Sequence, residues 1–209
     1  DRFGLIPEFV GRLPVIAGSG TNSTAKSIEL SRELAAAGAD GLLTVVPYYN
    51  RPTQEGLYRH FSAIADSVNV PVILYNVPGR TVCDMLPETV VRLSEHPRIV
   101  GIKEATGDMS RAESILGAAR PGFLLLSGDD PTAAELMKRG ARGVISVTAN
   151  VAPRAMHDMC VAALEGRHAE AAALNEQLMP LHLAMFVEPN PIPVKWAVAR
   201  MGLMERGIR

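Results

Sequence analysis

The chain has 209 residues, 47% hydrophobic and 21% charged, with a net charge of −1; this is the balance of a globular protein with room for one domain and a substantial core. Acids and bases are mixed along the chain, which argues against nucleic acid or an anionic membrane as a partner, and no apolar run approaches the ~18 residues of a membrane-spanning helix. The start, Asp1-Arg2-Phe3-Gly4, lacks the basic-then-apolar pattern of a signal peptide, and Cys83 and Cys160 lie far apart without metal-site spacing, so the expected setting is a reducing cytoplasm and two inert thiols.

One pattern repeats along the chain: a short apolar run, a few turn residues, then an amphipathic helical stretch. The runs cover residues 13–17, 41–46, 70–76, 98–103, 122–127 and 143–148. They are nearly continuous rather than alternating, so both faces are expected to be buried, as in parallel strands covered by helices. A helix over 24–37 ends at Gly38, and Pro87 opens another. Asp130-Pro131 offers an N-cap and first-turn proline to a helix that stops at Gly140, and Gly166 closes a later one. Residues 153–202 read as three helices with an irregular break at Val187-Glu188-Pro189-Asn190-Pro191.

The alternation defines an α/β fold with a parallel sheet, either an open doubly wound sheet or a (β/α)8 barrel. As a barrel, residues 1–150 carry six visible strands and 151–209 form a C-terminal helical extension. The chain begins in a helical pattern (Phe3, Leu5, Ile6 and Phe9 ahead of Pro14), so about two βα units are expected to precede it.

Polar residues gather at one end of every run. Among four lysines, Lys26 and Lys195 fall within helical stretches and Lys138 in a last helical turn, whereas Lys103 ends the apolar run Ile99-Val100-Gly101-Ile102. Burial and nearby cations favour the neutral amine, which attacks carbonyls. The plainer reading is a lysine paired with a carboxylate, but Glu104, the next residue, points to the opposite face of a strand. Tyr75 ends the preceding run, where a phenol can shuttle protons or simply pack. Tyr48 and Tyr49 put three of the four tyrosines at the same end. Arg80 follows on a loop, as a bidentate carboxylate clamp or as a solvated arginine. Gly18 and Gly20 lack the third glycine of a dinucleotide loop. The five histidines fall in helical segments or their ends without metal-ligand spacing, and Asp129-Asp130 is absorbed by the expected N-cap. These residues therefore offer neither a dinucleotide loop nor a metal site.

At these residues the sequence resembles the dihydrodipicolinate synthase family of lysine-dependent class I aldolases, within the N-acetylneuraminate lyase superfamily. The resemblance is carried by residues 47–56 (PYYNRPTQEG), 75–81 (YNVPGRT), 101–107 (GIKEATG), 126–130 (LSGDD), 143–150 (GVISVTAN) and 188–195 (EPNPIPVK), and it spans about residues 12–203. It implies a (β/α)8 barrel that condenses pyruvate with L-aspartate 4-semialdehyde on the route to diaminopimelate and lysine, with no metal or organic cofactor. Lys103 corresponds to the imine-forming lysine, Tyr75 to the proton donor and acceptor, and Tyr49 to a relay tyrosine that reaches a neighbouring subunit of a homotetramer. Arg80 corresponds to the semialdehyde-carboxylate ligand, Ile145 to a residue lining the pyruvate pocket, and Gly128 to a substrate-binding position. Asn22 and Tyr48 match the allosteric L-lysine site, but Lys26 stands where that site has a glutamate, so feedback is expected to be weak.

The family's Gly-Thr-Thr-Gly-Glu segment, which supplies a relay threonine, has no counterpart in this sequence. The natural protein is therefore expected to be longer, and this chain alone neither to close a barrel nor to turn over normally. Two other readings stand beside the synthase. A sister sugar-acid lyase shares the Lys and Tyr but not usually the Arg80 position, and a catalytically silent barrel would serve binding alone.

Overall fold

The computed structural model describes residues 11–207, which divide into two compact units at Leu125 and Leu126. The first unit is built of βα repeats. In chain order these are β1 (Ile16–Gly18), α1 (Thr24–Ala36), β2 (Gly41–Val45), α2 (Gln54–Asp66), β3 (Val72–Asn76), the short α3 (Pro78–Thr81), α4 (Pro87–Ser94), β4 (Ile99–Glu104), α5 (Met109–Ala118) and β5 (Leu124–Ser127). Strands β1 to β4 pair in parallel, and the sheet order is β1-β2-β3-β4-β5. A doubly wound sheet reverses its order at a switch point. This one does not, so its strand order is that of a (β/α)8 barrel.

Local chemistry explains where the elements begin. Ser23 Oγ accepts from the N–H of Lys26 to start α1, Thr53 Oγ1 accepts from Gly56 (3.1 Å) to start α2, and Asp108 Oδ1 accepts from Ser110 (2.9 Å) and Arg111 (3.2 Å) to start α5. Pro87 supplies the fixed φ of the first turn of α4. The strands bury Leu42, Val72, Leu74, Ile99 and Ile102 completely. Two glycines are demanded by close approach: a Cβ at Gly20 would lie 2.4 Å from the Val45 nitrogen, and one at Gly101 would lie 2.5 Å from the Leu124 carbonyl oxygen.

His60 is a packed residue of α2. Its Nδ1 lies 2.8 Å from Thr24 Oγ1, its ring meets Phe61 edge-on, and its Nε2 has no hydrogen-bond partner. Burial pushes its pKa down from 6.5 to about 4. Between those values the unfolded chain binds a proton that the folded chain refuses, so stability is fully present above about pH 6.5 and is lost as pH falls toward 4. Urea unfolding of wild type should therefore weaken by roughly 2 kcal/mol more than that of His60→Gln between pH 7 and pH 5. Parallel pH profiles of the two proteins would remove His60 as the cause.

The second unit opens with the end of β5. It continues through α6 (Ala133–Lys138), a 3-10 turn (Thr148–Asn150), α7 (Pro153–Leu164), α8 (His168–Ala184) and α9 (Ile192–Arg200). Ala133, Ala134, Met156, Met159 and Leu178 form its buried apolar cluster. The three C-terminal helices lie where the sequence places them, and the break before α9 contains a cis Asn190–Pro191 bond.

Two local expectations need correction. The run at 143–148 makes a single parallel bridge, Ser127 to Val144, and then turns into the 3-10 segment. Asp130 is not the N-cap of α6, which starts after Thr132. Its buried carboxylate instead accepts from the backbone N–H groups of Val147 and Thr148, both at 3.0 Å, and so holds the turn that interrupts the run. Asp129 takes the capping position's work by accepting from the Thr132 N–H (3.2 Å) and hydroxyl (2.6 Å).

Both cysteines are free, and burial raises each thiol above its usual range. His182 is fully buried and bonded to Thr148 Oγ1 at 2.8 Å. Among the described residues no helix is long and apolar enough to cross a membrane. The helical pattern read over residues 3–9 lies outside the described residues.

Candidate active site

Strands β3 and β4 pair so that Tyr75 stands beside Lys103 and Asn76 beside Glu104. Successive strand residues point to opposite faces. Tyr75 and Lys103 therefore share one face of the sheet, and Asn76 and Glu104 share the other.

On the first face the Lys103 Nζ lies 4.2 Å from the centroid of the Tyr75 ring. At that distance an ammonium is attracted to the ring, and the neutral amine sits next to a phenol able to exchange protons. Burial raises the phenol pKa above its ordinary value, while the positive charge of Arg80 pulls it back. The phenol thus keeps its proton at neutral pH and is available as a donor. Arg80 lies in the last turn of the short α3 at an exposed position, its own N–H bonded to the Val77 carbonyl at 2.9 Å.

On the opposite face the strand tips carry a polar cluster. Glu104 is 2% exposed; its Oε2 accepts from Arg111 Nε at 3.0 Å and from Asn76 Nδ2 at 3.3 Å, and its Oε1 accepts from the N–H of Thr106 at 3.0 Å. Arg111, from α5, also binds both oxygens of Asp84 (2.8 and 3.1 Å) and the Met85 carbonyl. Asn76 completes the ring of contacts by donating to Asp84 Oδ1 (3.0 Å) and accepting from the Met85 N–H (3.1 Å). Gln54 holds the same segment from α2: its side chain donates to the Asp84 carbonyl (2.8 Å) and accepts from the Leu86 N–H (3.1 Å) and the Thr89 hydroxyl (2.6 Å). As expected from the strand alternation, Glu104 is engaged away from Lys103.

Tyr49 is 87% exposed and adopts φ 74°, with Arg51 (φ 45°) and Val82 (φ 56°) also left-handed. Each such residue costs roughly 1–2 kcal/mol. The loop is held by the Tyr49 N–H bonded to the Thr81 carbonyl at 3.0 Å. The tyrosine ring thus faces solvent within this chain.

Tyr48 is also exposed, and Asn50 Nδ2 donates to the Asn22 carbonyl at 2.9 Å; Lys26 is exposed in the first turn of α1. Gly128 and Ile145 belong to the second unit. The Ile145 N–H donates to the Ser127 carbonyl at 2.9 Å, and Ser127 Oγ spans Gly128 to bond the Asp129 carbonyl at 2.7 Å, so the two positions are neighbours there.

The sequence reading did not single out Asn76, Asp84, Arg111 or Gln54. One signal was present: both Tyr75 and Lys103 are followed at once by a polar residue in an otherwise apolar run, and strand alternation puts those two followers together. Asp84 and Arg111 lie on a loop and a helix, where nothing in their spacing marks them.

An amine and a phenol side by side at the C-terminal ends of adjacent parallel strands are the equipment of an α/β enzyme that works on carbonyl compounds. Residues 6–209 match the model of the dihydrodipicolinate synthetase family. The 4-hydroxy-tetrahydrodipicolinate synthase of Stutzerimonas stutzeri is 61% identical over 205 residues, covering 98% of this chain and 70% of that protein. The crystal structure of the chloride-inhibited dihydrodipicolinate synthase of Acinetobacter baumannii, complexed with pyruvate, superposes with a TM-score of 0.96 at 51% identity, over 99% of this chain and 72% of that one. A structure described as the first monomeric dihydrodipicolinate synthase variant gives a TM-score of 0.96 at 42% identity, over 100% and 72%. The chain belongs to the dihydrodipicolinate synthetase family.

Proposed function

We propose that the chain carries out the synthase reaction of its family, the condensation of pyruvate with L-aspartate 4-semialdehyde to 4-hydroxy-tetrahydrodipicolinate, with Lys103 as nucleophile. The observation that supports this assignment of roles is the amine of Lys103 lying 4.2 Å from the Tyr75 ring on neighbouring strand ends. Lys103 attacks the ketone carbon of pyruvate, and Tyr75 moves the protons that let the carbinolamine lose water. The resulting imine draws electrons from the methyl group, which loses a proton to give an enamine. That carbon attacks the aldehyde, forming the new carbon–carbon bond. The amino group of the adduct then adds to the imine carbon, closes the ring and expels Lys103. Arg80 takes the semialdehyde carboxylate. Gly128 and Ile145, in the second unit, are assigned to substrate binding on the family resemblance alone. The site of action is the cytoplasm.

Borohydride reduction of the natural protein with pyruvate, followed by peptide mapping, tests the central role. A reduced pyruvyl adduct on Lys103 is expected, and an adduct on another lysine, or none, would overturn the assignment.

The exposed Tyr49 is assigned to contact with a second copy, within a homotetramer. Sedimentation at assay concentration should find an oligomer; a fully active monomer would refute this. Lys26, a cation in the region matched to the lysine-effector site, disfavours the effector's ammonium. Sub-millimolar L-lysine should accordingly leave the rate of the natural protein nearly unchanged, and steep inhibition would contradict that expectation.

A further inference from the structure

Apolar packing alone does not call for the charged cluster behind the nucleophile. Elsewhere the helix-facing side of β3 and β4 is apolar and fully buried, as at Leu74 and Ile102. Replacing a buried ion pair by apolar residues is often neutral or stabilising, so stability is a weak explanation for Glu104 and Arg111. Their position is more informative. Glu104 is the next residue after Lys103, and its carboxylate is 2% exposed. A buried negative charge so near an amine favours the ammonium, which is inert toward carbonyls.

The groups around Lys103 have distinct effects. On its own face are the neutral phenol of Tyr75 and, near that phenol, the cation Arg80. Behind it are Glu104, Asp84 and Arg111, with the neutral Asn76 tying the first two together. From α4, Glu88 and Arg92 are solvent-exposed, and Arg92 is held by Glu55 at 2.6 Å. Arg111 is the group whose removal would leave the Glu104 carboxylate uncompensated.

We infer that Glu104 and Arg111 are positioning residues that set the protonation of the nucleophile: Arg111 cancels the carboxylate behind Lys103, so that the free amine is present at lower pH than it would otherwise be. The same contacts join Asn76 on β3 to Glu104 on β4 and so hold the register that sets Tyr75 beside Lys103. This inference rests on the proposed role of Lys103.

The test is the pH dependence of borohydride-trappable imine formation with pyruvate in the natural protein and its variants. Glu104→Gln keeps the cation and removes the anion, so the midpoint of the rising limb should move down. Arg111→Met leaves the anion uncompensated, so it should move up. Each shift should be roughly half to one pH unit, the order expected for one unit charge in a partly screened setting. Arg111→Lys should return the midpoint toward wild type. A purely structural role would lower the rates without moving the midpoints in opposite directions, and unchanged or same-direction shifts would overturn the inference.

If either variant fails to fold, Asp84→Asn decides: it removes one half-exposed anion from Arg111 and should shift the midpoint down by a smaller amount, whereas no shift refutes the idea. Wild-type trapping on Lys103 is the internal control. Its absence would reject the nucleophile assignment, while its presence with unmoved midpoints would reject only the role of the cluster.

Discussion

Lys103→Ala in the natural protein is expected to abolish the trapped pyruvate adduct and to lower turnover by at least about 10³-fold, a loss of roughly 4 kcal/mol of transition-state stabilisation. No other lysine is placed to substitute. Lys26 and Lys138 are exposed on α1 and α6, and Lys195 lies within α9. None of them ends a strand. Lys103→Arg sharpens the test, because it keeps the positive charge and much of the stem but cannot form the imine. Loss of the adduct in both variants, with wild-type circular dichroism, identifies the amine itself as the requirement. A retained adduct in either would show that the nucleophile is elsewhere.

Tyr75→Phe should lower kcat by 10²- to 10⁴-fold, the usual range for removing a positioned acid–base group, while KM for pyruvate changes little. The substitution removes only the hydroxyl. The ring face next to the Lys103 Nζ remains, so the amine should keep its place. Trapping on Lys103 should therefore persist at a reduced rate, since carbinolamine dehydration and enamine formation both need proton transfer. The elevated pKa of the phenol adds a second readout: the wild-type rate should not fall through the ordinary tyrosine range until higher pH, in the direction given by burial and moderated by Arg80. A kcat unchanged by Tyr75→Phe would leave the phenol with only a packing role.

Much of this arrangement is legible in the chain itself. Continuous apolar runs located β2, β3, β4 and β5 to within a few residues, because strands buried on both faces need no polar alternation. Strand alternation alone separated Lys103 from Glu104. Sequence periodicity could not choose between an open sheet and a barrel, since both use the same βα unit and differ only in which strands become neighbours.

The error at Asp130 has a related cause. An aspartate before a proline and an apolar stretch suits an N-cap, but the same carboxylate can accept from any nearby N–H, and the distant turn at Val147 and Thr148 won. The sixth run makes one bridge before that turn. Arg111 and Asp84 stayed hidden because their partners come from other elements, and pair spacing within a strand or helix says nothing about such contacts.

The bare backbone at Gly101 constrains how this site can change over evolutionary time. A Cβ there would strike the Leu124 carbonyl at 2.5 Å, so the two strands could not keep their present spacing around any other residue. Lys103 lies two positions further along the same strand, on the same face. A lineage can therefore explore new acceptor aldehydes through the loops that follow the strands, but a methyl group at this one hidden position would displace the nucleophile's own support. At this position the strand has no room for variation, whatever the loops around it do.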